Sequence, residues 1–195
     1  MIAIFRHGET EYNKENRLQG WSDSPLTSKG KIQAARTAGH FANDIKGLPV
    51  HLYSSSLNRS IASAKLLMES IKVESWTTCE SLRENSWGDY ENNIYVDEAL
   101  TATMLSDRKG DTYNFRSWDM ESIGDLYERI SLFLDVNRLR HDDPGTCNIF
   151  HVHCNVSRVL RGIFMRLHHS IWLNFDHKHN NYYVINNIHC KEVTT

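Results

Sequence analysis

Basic residues and imidazoles stand where three short apolar runs of this chain stop. Met1–Phe5 is apolar and is followed at once by Arg6-His7-Gly8-Glu9-Thr10. Leu52–Ser55 closes a second run, with Arg59 just after it, and His153 follows a third, Asn148–Val152. An imidazole offers one unprotonated nitrogen as nucleophile while a hydrogen bond fixes the other. A guanidinium presents a planar fork that matches phosphate oxygens. Gly8 lets the backbone turn closely around the imidazole. Phosphate esters repel nucleophiles, so a catalyst needs converging positive charge, a nucleophile and an acid for the departing oxygen. One Arg-His-Gly triplet is a weak signal. A cationic or imidazole group at each of three run ends points to phosphoryl chemistry at one edge of a sheet.

The elements that must hold these residues alternate in type. Met1–Phe5 reads as a buried strand, and Thr27–Ile45 as a helix with Thr27 as N-cap and Ile32, Ala35, Ala42 and Ile45 at helical spacing. Val50–Tyr53 is a second strand, followed by a helix with Ile61, Ala64, Leu67, Met68 and Ile71 inward. Ile123, Leu126, Ile130, Phe133 and Leu134 mark a further helix, and Pro144-Gly145 a turn into the strand Asn148–Val152. Val156, Val159, Leu160, Ile163, Phe164 and Leu167 mark the next helix, and Tyr182–Ile188 a last strand. This rhythm predicts an α/β fold, a three-layer α/β/α sandwich with a mostly parallel sheet covered by helices on both faces. The chain reads as a single domain, 1–195. A polar, irregular insertion at about 85–121, with a helix at Val96–Leu105, lies where substrate selectivity usually sits.

Bulk properties exclude several classes. Hydrophobic residues at 40% allow a substantial core, and a net charge of -2 gives no field for a nucleic-acid backbone or a membrane surface. The apolar N-terminus is too short for a signal segment, and no run is long enough to span a bilayer. Four cysteines, Cys79, Cys147, Cys154 and Cys190, lack C-x-x-C spacing and read as reduced thiols of a cytoplasmic protein.

The block Arg6-His7-Gly8-Glu9-Thr10-Glu11-Tyr12-Asn13, with Arg17-Leu18-Gln19-Gly20-Trp21-Ser22-Asp23-Ser24-Pro25-Leu26-Thr27, Gly30 and Gln33-Ala34, resembles the phosphoglycerate mutase-like histidine phosphatases. So do Ser54–Arg59 and Leu82-Arg83-Glu84 with Gly88 and Glu91. The resemblance implies that His7 becomes phosphohistidine and that Arg6, Arg59 and His153 hold the phosphoryl oxygens. It implies Glu84 as proton donor to the leaving group, and Asn13, Gln19, Gly20 and Asn155 as substrate-binding positions. It implies no metal and no cofactor, and a small phosphorylated metabolite as partner. Hydrolysis of a small phosphomonoester is the leading expectation, because the segment after Glu84 lacks the Arg-Arg pair of the glycolytic mutases. A cofactor-dependent mutase, or a weakly active member that binds a phosphorylated ligand or a protein, are the alternatives.

The chain also departs from the pattern. In His151-Val152-His153-Cys154-Asn155, Cys154 replaces a glycine and Val152 a small hydroxyl residue, and Met120 replaces another glycine. A cysteine forced to φ > 0 would be strained by about 1 kcal/mol, so a distorted or oxidisable site is expected there. The eleven histidines invite a metal hypothesis, but no quartet has structural-zinc spacing. His151 reads as a satisfied interior or edge histidine, His168-His169 as helix-end residues at the negative end of a dipole, and His177 and His179 as polar loop. Trp76, Trp87, Trp118 and Trp172 read as packing, with Trp87 also placed to line a pocket beside Glu84. Arg108, Lys109 and Arg116 read as solvated charge, with contact to a second anionic group of the substrate as the sharper alternative.

Overall fold

The computed structural model describes residues 1–45, 47–93, 111–116, 119–139 and 145–195. The expected helix at Val96–Leu105, and Arg108, Lys109, Trp118 and Pro144, lie outside them. Six strands form one sheet: β1 (Ile2–Arg6), β2 (Val50–Ser55), β3 (Ser75–Cys79), β4 (Cys147–Val152), β5 (Asn181–Asn186) and β6 (His189–Thr194). Their order is β3-β2-β4-β1-β5-β6. The first four are parallel, while β5 runs antiparallel to β1 and β6 antiparallel to β5.

β1 and β4 are central and buried almost throughout, because both of their faces are covered. Ile2 and Ile4 point into one core with Phe150, Val152 and Leu160, while Ala3 and Phe5 point into the other with Leu52, Ile149 and Leu67. The first core is closed by α4 (Ile123–Val136), α5 (Cys154–Phe164) and the short α6 (His169–Trp172); the second by α2 (Ser28–Phe41) and α3 (Asn58–Ser70). The three expected layers are present.

Local signals explain the helix starts. Thr27 accepts from the Gly30 amide at 2.9 Å, and Ser122 and Asp125 form a reciprocal capping box at the head of α4. Thr10 and Asn13 do the same for the one-turn α1 (Glu11–Lys14). Where the structure differs from expectation, burial accounts for it. α2 ends at Phe41 rather than Ile45, and its buried face is Ala34, Ala38 and Phe41; Ile32 points outward, 67% exposed. The last strand ends at Asn186, and a turn at Asn187, whose φ is +57°, sends the chain back as β6. His168 precedes the amino end of α6 and accepts from the Ser170 amide, so it caps the positive rather than the negative end of a dipole.

Candidate active site

The carboxyl ends of β1 and β4 lie side by side, and the His7 amide continues their ladder by donating to the Val152 carbonyl at 3.1 Å. This register sets His7 and His153 together, with ring centroids 5.1 Å apart. Both are almost fully buried. The His7 Nδ1 lies 2.8 Å from the Gly8 carbonyl. A carbonyl only accepts, so Nδ1 carries the proton and Nε2 keeps its lone pair. Burial, reinforced by Arg59, His153, His179 and Arg6, holds the His7 pKa well below the usual histidine range, so the ring is neutral at pH 7. Burial does the same to His153, helped by Arg59 and Arg6.

Gly8 is required by close approach. A Cβ there would stand 2.0 Å from the Gly30 carbonyl oxygen, and one on Gly30 would stand 2.0 Å from the Glu9 carbonyl oxygen. The two glycines let the loop after β1 press onto the first turn of α2. The Gly8 amide donates to Ser63 Oγ, which donates to the Arg59 carbonyl, tying this loop to α3.

Arg59 projects from the first turn of α3 and is 2% exposed. It donates to the carbonyls of Ser22 at 2.8 Å and Gly20 at 2.7 Å, and pairs with Asp23 at 3.2 Å. Burial lowers its pKa, opposed by Asp23 and Glu84. Asp23 also accepts from the Asn58 and Arg59 amides, and so caps α3, whose own N-cap residue Leu57 cannot. Arg6 donates to the His177 carbonyl.

Glu84 comes from the opposite wall. Its Oε1 accepts from the Asn85 amide at 3.0 Å and its Oε2 from the Asn155 amide, in the first turn of α5, at 3.4 Å. Arg129 on α4 holds this wall: it pairs with both oxygens of Glu121 at 2.7 and 2.6 Å and donates to the carbonyls of Ser81, Arg83 and Glu84. Gly20, at φ +52°, turns the strip 20–22 so that Glu91 can accept from the Trp21 and Ser22 amides.

A cleft of about 330 Å³ opens between these walls, lined by Arg6, His7, Asn13, Arg17, Gln19, Gly20, Arg59, Glu84, Trp87, Cys154 and Asn155. The structure thus brings together every residue singled out from the sequence for this site, with His153 buried directly behind His7. Asn13 reaches the cleft with its amide oxygen already engaged by Thr10. Cys154 is the first residue of α5 and is not among the described non-glycine residues at positive φ, so the strain expected there is absent. His151 is interior, as expected, and stacks on Phe5, but its Nδ1 has no partner among the described residues. Arg116 pairs with Asp125 on the surface rather than reaching the cleft. No group of described residues is arranged to hold a metal ion.

A family model described as the histidine phosphatase superfamily (branch 1) matches residues 2–193. The chain belongs to the histidine phosphatase superfamily. Among curated relatives, phosphoglycerate mutase 1 of Saccharomyces cerevisiae is 35% identical over 125 residues, 61% of this chain and 47% of that enzyme. The aligned part is therefore about half the length of that relative. Among solved structures, Bacillus stearothermophilus YhfR superposes with a TM-score of 0.78 over 99% of this chain and 95% of its own, at 22% identity. Mycobacterial glucosyl-3-phosphoglycerate phosphatase Rv2419c, in a complex with VO3, gives 0.73 over 99% and 96%, at 21% identity.

The sequence did not single out the segment Asp176–Asn181. His179 Nδ1 donates to the His7 carbonyl at 2.7 Å, and the His177 carbonyl takes Arg6. His177 is itself buried, with Nε2 donating to the Asn181 carbonyl and Nδ1 accepting from Ser157 Oγ. These histidines, expected as polar loop, buttress the end of β1. Asp23, Glu121 and Arg129 were equally unassigned. Only the proximity of Asp23 to the Gln19-Gly20 motif offered a signal.

Proposed function

We propose that this protein hydrolyses a small phosphomonoester through a phosphohistidine on His7. The observation that carries the reading is a set of buried nitrogens beside His7 without hydrogen-bond partners among the described residues. They are Arg6 Nε, Arg59 Nε, and both ring nitrogens of His153. Buried donors are normally satisfied; here a phosphoryl group would take the two guanidinium N–H groups and the one ring N–H that neutral His153 carries. His7 Nε2 attacks phosphorus, the ester P–O bond breaks, and Glu84 gives its proton to the departing oxygen. Water then attacks the phosphohistidine, Glu84 takes its proton, and the N–P bond breaks to release phosphate. His153, Arg6 and Arg59 take the charge that develops on the equatorial oxygens. Asn13, Gln19, Gly20 and Asn155 contact the substrate, and Gln19 Oε1 is a buried acceptor still without a partner.

The reading treats the chain as one domain with its selectivity segment at about 85–121, acting on a small metabolite in the cytoplasm. Small substrate size is supported by the cleft volume, and a reducing setting by four cysteines that are all free. No described helix is long and apolar enough to cross a membrane. The test is to trap acid-labile phosphate on His7 with a phosphomonoester, then follow its discharge. Release of phosphate without added bisphosphoglycerate is expected. Interconversion of phosphoglycerate isomers in its place would make the protein a mutase, and absence of labelling a binding protein.

A further inference from the structure

A second and larger cavity, of about 600 Å³, lies between α5, the segment Asn174–Lys178 and the β5–β6 hairpin. At its base is Arg161, only 4% exposed. Its guanidinium lies 3.9 Å from the centre of the Tyr183 ring and 4.7 Å from that of Phe175. Nε and Nη2 donate to the carbonyls of Ser157 at 3.3 Å and Asp176 at 2.7 Å. No described carboxylate comes within ion-pairing distance of this guanidinium, although Asp176 and Glu192 line the same cavity. Those carboxylates keep their charge but are each held by a neutral donor: Asp176 accepts from the His177 amide, and Glu192 accepts from Asn181 Nδ2. Lys178, on the rim, has no ion-pair or side-chain hydrogen-bond partner among the described residues.

A buried cation without a counter-ion is costly, and proteins normally pair it. Arg59 shows the usual solution in the same molecule, with Asp23 against it. We propose that the Arg161 cavity is a binding site for a small organic carboxylate. The carboxylate would lie between Arg161 and Lys178, and its apolar part against Phe175 and Met165. Arg161 and Lys178, neither in an ion pair among the described residues, set the charge of the group that lies between them, while Asp176 and Glu192 keep the rest of the cavity from being purely cationic. The aromatic faces on either side of the guanidinium favour a flat apolar body over a fully hydrated ion. The site is separate from the catalytic cleft, and the inference holds whether or not His7 is phosphorylated.

The experiment uses the intact chain, benzoate as probe and its neutral isostere benzamide as control, followed by amide chemical shifts. Benzoate should produce saturable shifts in Asn174–His179 and Cys190–Glu192, while benzamide should not. Lys178→Glu, an exposed change that should leave the fold intact, should weaken benzoate about tenfold or more by reversing one charge. Arg161→Gln should abolish the shifts if it folds. The proposal is overturned if benzoate at up to roughly 10 mM gives no saturable shift. It is also overturned if the shifts fall on His7 and Gly20 instead, if benzamide matches benzoate, or if Lys178→Glu leaves affinity unchanged.

Discussion

The two sides of the catalytic cleft are built in different ways. The floor consists of strand ends and first helical turns: His7, Arg59 and His153 are each no more than 3% exposed and are set by the β1–β4 register and by α3. The Glu84 wall is a short irregular segment, half-buried, whose position depends on one arginine reaching across from α4. Binding and stabilising a phosphoryl group tolerates little displacement, so the floor is made of the most rigid elements available. Proton delivery to a leaving group must suit alcohols of different shape. On the proposed reading Glu84 delivers the proton, and its wall adjoins the segment whose sequence departs most from the strand–helix rhythm.

Breaking the floor should cost most. His7→Ala should remove phosphohistidine and reduce turnover by about 10³-fold or more, since it deletes the nucleophile. Label persisting on another histidine would refute the assignment. On the wall, Glu84→Gln should slow esters of poor leaving groups by about 10²–10⁴-fold, the usual range for acid catalysis, while a phenol-type ester should lose far less in its first step. Equal losses on both esters would mean that Glu84 is not the acid.

The floor should also show itself in stability against pH. His151 and His179 have pKa values lowered to about 3 by burial, and His7, His153 and His177 are lowered too. In the unfolded chain these imidazoles protonate near 6.5. The unfolded state therefore binds more protons between about 6.5 and 3, and the contribution of these histidines to folding stability falls as pH drops through that window and is constant above it. Each imidazole adds a slope of roughly 1.4 kcal/mol per pH unit. Urea midpoints should follow this trend, and His151→Phe should make it shallower; a midpoint constant from pH 7 to 5 would contradict it.

The remaining tests are milder. Arg129→Met should release the wall without touching the floor, costing about tenfold on poor leaving groups and little on phenol-type esters, measured as kcat at saturating substrate. Cys154→Gly should change turnover by less than about threefold, because the backbone there is ordinary helix and needs no glycine. Its thiol lines the cleft, so oxidants should inhibit the native enzyme more than this variant.

The floor was legible in the sequence because its residues are consecutive, or sit at the ends of apolar runs that a buried parallel strand must have. The buttresses were not. His179 reaches His7 across 172 positions, and Arg129 reaches the Glu84 carbonyl across 45. Nothing local to those residues distinguishes them from surface polar groups. β3 escaped notice for a related reason: Ser75–Cys79 is a polar edge strand with no residue fully buried, and so has no periodicity to read. β6 is the opposite edge and equally exposed, which is why the chain read as a single strand running on to Ile188. Arg161 carried no signal either, since its isolation from carboxylates is a property of the folded surroundings alone.

The tether from Arg6 to the His177 carbonyl also bears on how the chain is made. β1 leaves the ribosome well before its two neighbours in the sheet, β4 and β5, which begin at Cys147 and Asn181. At roughly 5–20 residues per second, on the order of ten to thirty seconds separate the synthesis of His7 from that of His179. For that interval a fully apolar strand has no partner for either edge, and the nucleophile has no buttress. The candidate site is therefore completed only once the β5–β6 hairpin exists, long after His7 itself is made. A chain halted before the β5–β6 hairpin would carry the whole N-terminal motif and still be an exposed aggregation segment rather than an enzyme.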